Sequence, residues 1–274
     1  VNEMSKTISI LTPTRQRVNR LSEFVMSVYQ HTEEKDRVEM LMYVDRDDPS
    51  KDQYMDFLLH CKSEFPDFLR VHMIFDEPKS VSKSWNDLYA RSVGDIIIMG
   101  NDDLIYRTPS WDRMVELESN IFEDDIYCMW MDDRINRENH CAFPIVSRKW
   151  CETLGYFTPG VFHFGYNDTW VFDIAQRVHR CRFLGGVVAE HMHFSQNKSH
   201  FDWTYERNRL SDHNHYQMDK VIFDSKEMIQ KRIEAAEKLK KVMKNFLSTN
   251  PNITKQKQEK FLHMRQLIIL DFFI

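Results

Sequence analysis

Two kinds of apolar pattern alternate through the first hundred residues, and this alternation restricts the fold more than anything else in the chain. The runs "TISILTP" (7–13), "EMLMYVD" (39–45), "LRVHMIFDE" (69–77) and "DIIIMG" (95–100) are short and rich in β-branched and large apolar residues, as strands buried on both faces are. Between them the apolar residues fall at helical spacing. Val18, Leu21, Phe24, Val25 and Val28 share one face, and Tyr54, Phe57, Leu58 and Cys61 share another. A third helix is expected over Val81–Ser92, with Ser80 or Ser82 as N-cap. Strands separated by helices require crossovers, so the expectation is an α/β fold with a mostly parallel sheet covered on both faces. Ligands of such sheets gather beyond the carboxyl ends of the strands. Thr12, Pro13, Arg15, Asp45, Asp76 and Asn101–Asp103 all stand at those ends.

The last of these groups poses a chemical problem. In "GDIIIMGNDDLIY" (94–106) a buried strand runs straight into two adjacent carboxylates, Asp102 and Asp103. Burying one unpaired charge costs several kcal/mol. Either the chain surfaces there into an Asn-Asp-Asp turn, or the carboxylates hold a cation.

Composition excludes some alternatives. With 7 glycines in 274 residues, neither a G-x-G-x-x-G nor a Walker lysine loop is present. The five cysteines have no C-x-x-C spacing, so a reduced, cytoplasmic protein is expected. The first residues lack the apolar core of a signal, and no apolar run nears the roughly 18 residues of a membrane span. Charge is uneven. The formal net charge is −5, yet residues 226–274 hold 11 Lys+Arg against 5 Asp+Glu. This suggests a body over 1–223 and a basic helical appendage over 224–274. In the appendage, Asp224-x-x-Glu227 resembles a capping box, and Ile229, Ile233, Ala236, Val242 and Phe246 form a stripe along a helix at 225–247. A second helix is expected over 254–273. These helices are expected to pack on the sheet domain or to form a homodimer contact. Their basic surface is either solvated or set against a polyanion.

Several segments, taken in order, resemble family 2 glycosyltransferases. "ISILTPTRQRVNRLSEFVMSVYQHT" is similar to that family's opening strand, Pro-Thr-x-x-Arg turn and first helix. "MYVDRDDPS" resembles its second strand, and "SVSKSWNDLYARSVGDIIIMGNDD" resembles the helix and strand that lead to its Asp-x-Asp motif. The resemblance covers roughly residues 7–195 and is narrowest to short stand-alone enzymes of phage and marine viruses. It implies the GT-A fold, a Rossmann-like sandwich, with a nucleotide-binding half over 1–106 and an acceptor half over 107–223. It also implies a nucleotide-sugar donor, UDP-linked in the first instance, and Mn²⁺ or Mg²⁺ on the leaving diphosphate, since hard cations prefer carboxylate oxygens. Asn101-Asp102-Asp103 departs from the Asp-x-Asp pattern. Asp103 takes the metal-ligand role by resemblance, leaving Asn101 and Asp102 beside the donor. Asp45 is expected at the base or ribose, and Arg15 and Lys83 at the diphosphate.

The second half continues the resemblance. Asp168, before the helix "TWVFDIAQRV", matches the family's general base in inverting members, with Asp173 as runner-up; Asn167 or Asp168 is also a good N-cap there. "GGVVAEHMHF" leads into His191 and His193, one of which GT-A enzymes often use on the metal. Lys198, Asp202 and Tyr205 are expected on a loop over the donor, with Trp203 available for stacking; "DHNHY" (212–216) reads as a polar turn. The function implied is sugar transfer to a hydroxyl. The acceptor is hydroxymethylated pyrimidine in viral DNA, with Trp203 or Tyr166 stacking on the base, or else a cell-surface or capsule glycan. A nucleotidyltransferase or a non-catalytic nucleotide-sugar-binding module of the same fold would share these features, though "TPTRQR" lacks a triphosphate-gripping glycine loop.

Overall fold

A computed structural model of the chain describes residues 5–209 and 214–250. The first half forms β1 (Ile8–Thr14), α1 (Val18–His31), β2 (Val38–Asp45), α2 (Lys51–Glu64), β3 (Arg70–Asp76), α3 (Val81–Arg91) and β4 (Ile96–Met99). These are the expected elements, with ends shifted by a residue or two. Side chains alternate along each strand, so each strand feeds two cores. Ile8, Ile10, Met40, Met42, Ile96 and Ile98 point to the face covered by α1 and α2. Leu11, Leu41, Tyr43, Ile97 and Met99 point to the opposite face, under α3. Ser80 is the N-cap of α3, accepting from the Lys83 amide.

The second half contributes β5 (Leu104–Tyr106), α4 (Trp111–Ser119), β6 (Cys128–Asp132), β7 (Ile145–Ser147), α5 (Arg148–Leu154), α6 (Asn167–Arg177), β8 (Cys181–His191), α7 (Trp203–Arg209), α8 (His215–Asp224) and α9 (Lys226–Thr249). One eight-stranded sheet results, in the order β3-β2-β1-β4-β7-β6-β8-β5. The β1, β2, β3 and β4 pairings are parallel, as is β6 with β8; β7 and β5 run antiparallel to their neighbours. The order reverses at β1, between β2 and β4, which is where an open α/β sheet leaves a crevice. Gly100 lets the chain leave β4 close to β1, since a Cβ there would lie 2.2 Å from Thr12 Oγ1. The next three residues are Asn101-Asp102-Asp103.

The C-terminal helices differ from expectation in detail. Ser225, not Asp224, caps α9, and its hydroxyl accepts from the Met228 amide. The buried face of α9 is Met228, Arg232, Ala235, Ala236 and Leu239, whereas Ile229 and Ile233 are exposed. The sequence stripe caught Ala236 and Val242 of this side but began on the exposed Ile229 and Ile233, because the charged Arg232 sits at the centre of the buried face. Arg232 lies 3.8 Å from the Phe223 ring centroid and pairs with Asp173 of α6 at 3.0 Å. Through these contacts α9 joins the core between α5 and α6. His215 and Tyr216 begin α8 rather than a turn, with Asn214 as its cap. The helix expected over 254–273 lies outside the described residues.

Candidate active site

A cleft of about 500 Å³ opens at the carboxyl ends of β1, β2 and β4, and both halves of the chain line it. Asp103 reaches it through the sheet itself. β5 begins one residue after Asp103 and pairs antiparallel with β8, setting Leu104 opposite His191. The Met192 amide donates to the Asp103 carbonyl at 2.8 Å, locking this register. His191 Nε2 therefore stands 3.3 Å from Asp103 Oδ1. That oxygen is buried and accepts no hydrogen bond, while Oδ2 accepts from the Tyr205 hydroxyl at 2.9 Å. An orphaned carboxylate oxygen beside an imidazole nitrogen fits a hard divalent cation completed by oxygens of a ligand or water. Among the described residues no group of three or more His, Cys, Asp or Glu is gathered for a metal, and the residues that would hold such an ion are Asp103 and His191. His193 lies past the end of β8, its ring 4.9 Å from that of His191. Burial and the neighbouring His191 push His193 down to about 4, so it is neutral near pH 7.

Arg17 organises the carboxylates around this pair. Gln16 has a left-handed backbone, with φ at 53°, which turns Arg17 inward while Arg15 faces the end of β2. The Arg17 guanidinium donates to Asp102 at 3.0 Å and to both oxygens of Asp202, and it stacks on Tyr205 at 4.7 Å. Asp102 also accepts from Thr14 at 2.7 Å. Burial pushes the Asp102 carboxyl up despite Arg17. Asp103 suffers the same burial, but His191 and Arg17 more than offset it and hold Asp103 low, at about 2. Asp102 is therefore a satisfied support for Arg17, and Asp103 is the carboxylate with a coordination position to spare.

The remaining expected donor residues divide. Pro13, Arg15, Asp45, Asn101 and Tyr205 line the cleft, as do Trp203, 43% exposed, and Lys79, which sequence reasoning passed over. Arg15 is engaged by Asp45 at 2.8 Å and Asp47 at 2.5 Å, so it orders the end of β2. Four residues stand away from the cleft. Thr12 is fully buried against Gly100. Asp76 pairs with Arg46 outside it. Lys83 lies on the first turn of α3 and does not line the cleft. Lys198 is drawn to Glu190 at 2.7 Å.

Asp168 reaches the cleft from the other side. The N-cap of α6 is Tyr166, held at φ 63°, so Asp168 lies in the first helical turn and its carboxylate is not spent on capping. It meets His140 instead, with His140 Nε2 to Asp168 Oδ2 at 3.0 Å. The loop leading into α6 is fixed from α8. The fully buried Asp219 accepts from the amides of His163, Phe164 and Gly165 at 2.8–2.9 Å. Asp173 does not line the cleft, since it pairs with Arg177 and Arg232. Neither His140 nor Asp219 carries a sequence signal, because each is a single polar residue in an unpatterned stretch.

No protein-family model matches the chain, and no curated protein sequence does. Solved structures do. A mannosyltransferase, PcManGT, from Pyrobaculum calidifontis in complex with GDP-Man and Mn²⁺ superposes with a TM-score of 0.59 at 12% identity, covering 95% of this chain and 81% of that one. GalNAc-T7 with UDP, GalNAc and Mn²⁺ gives 0.56 at 12% identity, over 69% of this chain and 44% of that one. TarS 1–349 of S. aureus in complex with UDP-GlcNAc gives 0.52 at 12% identity, over 82% and 69%. This chain spans 36% of the longer TarS structure. The fold is thus the GT-A fold of glycosyltransferases, as the order of the sequence segments implied.

Proposed function

We propose that this chain is a metal-dependent, inverting glycosyltransferase that moves a sugar from a nucleoside-diphosphate donor, UDP-linked in our reading, to a hydroxyl of a glycan. One observation carries the proposal: Asp103 Oδ1, buried and without a hydrogen bond beside His191, shares a cleft with the Asp168–His140 pair. A divalent ion on Asp103 and His191 would neutralise the charge that develops on the leaving diphosphate. The chain's own residues supply the rest. Asp45, Trp203 and Lys79 line the cleft near the carboxyl ends of β2 and β3, where the nucleotide would lie. Asp168 takes the proton of the acceptor hydroxyl as its oxygen attacks the anomeric carbon. The glycosidic C–O bond breaks, and the diphosphate leaves with the electron pair.

What lines the far side of the cleft supports the glycan reading of the acceptor. Over residues 107–180 the lining includes His140, His163, Tyr166, Asn136 and Phe143, and the nearby cations Arg207 and Arg209 of α7 are stacked on Trp203 at 5.4 Å and Tyr216 at 4.6 Å. Rings and amides at the acceptor side suit a sugar, which favours the glycan reading. The modified-DNA alternative rests on the exposed lysines of α9, and no α9 residue lines the cleft.

The test is donor turnover. Incubation with a panel of UDP- and GDP-sugars and Mn²⁺ should release nucleoside diphosphate from at least one donor, and EDTA should abolish it. Adding free glycosides or hydroxymethylcytosine DNA, followed by mass spectrometry, should show a heavier glycoside and unchanged nucleosides. Absence of nucleoside diphosphate from every donor would overturn the enzymatic reading in favour of a binding module. Pyrophosphate release from UTP would replace it with nucleotidyl transfer.

A further inference from the structure

The acceptor-side carboxylate does not stand alone, and its partner follows a closely hydrogen-bonded turn. His140 follows a turn in which Asp133 Oδ1 accepts the amides of Ile135, Asn136 and Arg137 at 2.7–3.0 Å. Trp130 Nε1 donates to the Arg137 carbonyl at 2.8 Å and closes the turn onto β6. The imidazole stands edge-on to Phe172 of α6, with centroids 5.4 Å apart, and Phe172 in turn meets Trp130 at 5.3 Å. His140 is therefore held between one turn and one helix, with Nε2 directed at Asp168 Oδ2. Both side chains remain about one-third exposed, at 30% and 27%, and both line the cleft.

We propose that His140 is a positioning residue for Asp168. It holds Oδ2 so that Oδ1, met in the structure by the Thr169 hydroxyl at 3.4 Å, presents to the acceptor hydroxyl, and it sets the pH below which the pair stops accepting protons. The inference rests on the reading of Asp168 as the base. With His140 neutral, Nε2–H donates to a carboxylate of full negative charge. With His140 protonated, the imidazolium neutralises the carboxylate and removes the drive to take a proton from the acceptor. The charged groups facing His140 are Asp168 from α6 and Asp133 from its own turn, both anionic. Phe172 and Trp130, packed around it, carry no charge. The hydrogen bond to Asp168 favours the protonated imidazole more than burial opposes it, so His140 titrates above its ordinary value.

The sign of the effect is fixed by this arrangement. As pH falls through the raised His140 value, above the ordinary 6.5 or so, turnover should drop about tenfold per pH unit. A simple carboxylate base would hold its turnover down to about pH 4. His140→Asn keeps an N–H donor and cannot titrate, so its acid limb should move down to the carboxylate range with donor KM unchanged. His140→Gln serves in its place if that variant fails to fold.

The experiment combines two measurements. Donor hydrolysis, with water in the acceptor's place, is followed against pH for wild type, His140→Asn and Asp168→Asn. The His140 ring is titrated by NMR in wild type and in Asp168→Asn, which needs no acceptor. The expected result is an acid limb lowered in His140→Asn and a His140 titration that falls in Asp168→Asn. An unmoved limb in His140→Asn, with turnover lost in Asp168→Asn, overturns the positioning role and leaves the base in place. Full turnover in Asp168→Asn overturns the base itself and the inference with it.

Discussion

At the scale of single residues, the two adjacent aspartates divide the work. Asp102 is bonded to Thr14 and Arg17, so Asp102→Ala takes from a buried guanidinium one of its carboxylate partners and leaves it Asp202. Losing a charge-assisted hydrogen bond of this kind costs about 1.5–3 kcal/mol, and thermal unfolding should register it as a fall in Tm. Asp103→Ala removes the orphaned oxygen instead. It should cost less stability, yet abolish the Mn²⁺-dependent part of UDP affinity in calorimetry. Equal loss of metal-dependent affinity in both variants would refute this division. Asp168→Asn retains size and polarity and should lower turnover by about a hundredfold or more with donor affinity unchanged. Asp103, His191 and Asp168 were legible in the sequence because each ends a patterned run or matches a family segment. Arg17 is the arginine of the Pro-Thr-x-x-Arg turn, yet Arg15 was favoured over it for the donor. The difference is the left-handed turn at Gln16, and nothing about a glutamine announces a positive φ.

At the scale of elements, legibility follows strand length and burial. The four long runs of the first half are buried on both faces, so composition alone marks them. β5 and β7 are three residues each, too short for any period, yet β5 is the strand that carries Asp103 to His191. On α9 the buried Arg232 disguised part of the core face, so the sequence stripe included the exposed Ile229 and Ile233 beside the buried Ala236. The pairing of α8 with the loop before α6 was equally invisible, and it yields a prediction. Asp219→Ala takes the acceptor from three amides of a part-buried loop, at about 1–3 kcal/mol in all. Because that loop presents Asp168, sugar transfer should fall by more than donor affinity does. A variant that loses Tm but keeps its ratio of transfer to donor binding would show that α8 only props the fold.

At the scale of the whole molecule, the basic helix is tied into the body. Met228, Ala235, Ala236 and Leu239 of α9 share a core with Trp150 of α5 and Trp170 of α6. Leu239→Asp should therefore lower the Tm of the entire protein in one transition, as measured by calorimetry with circular dichroism. A separate low-temperature transition, with the main one unmoved, would mark α9 as independent. The lysines of α9 face outward, and among the described residues no helix is long and apolar enough to cross a membrane. The pairing of β5 with β8 also has a consequence in time. A ribosome releases β1–β4 and Asp103 well before it makes His191, and α8, which steadies the acceptor loop, comes later still. The cleft residues of β1–β4 are thus made first, while Asp103 still lacks His191 and the cleft still lacks Trp203 and Tyr205 of α7. On the function proposed above, cation-dependent donor binding would arise only after β8 and α7 have been made.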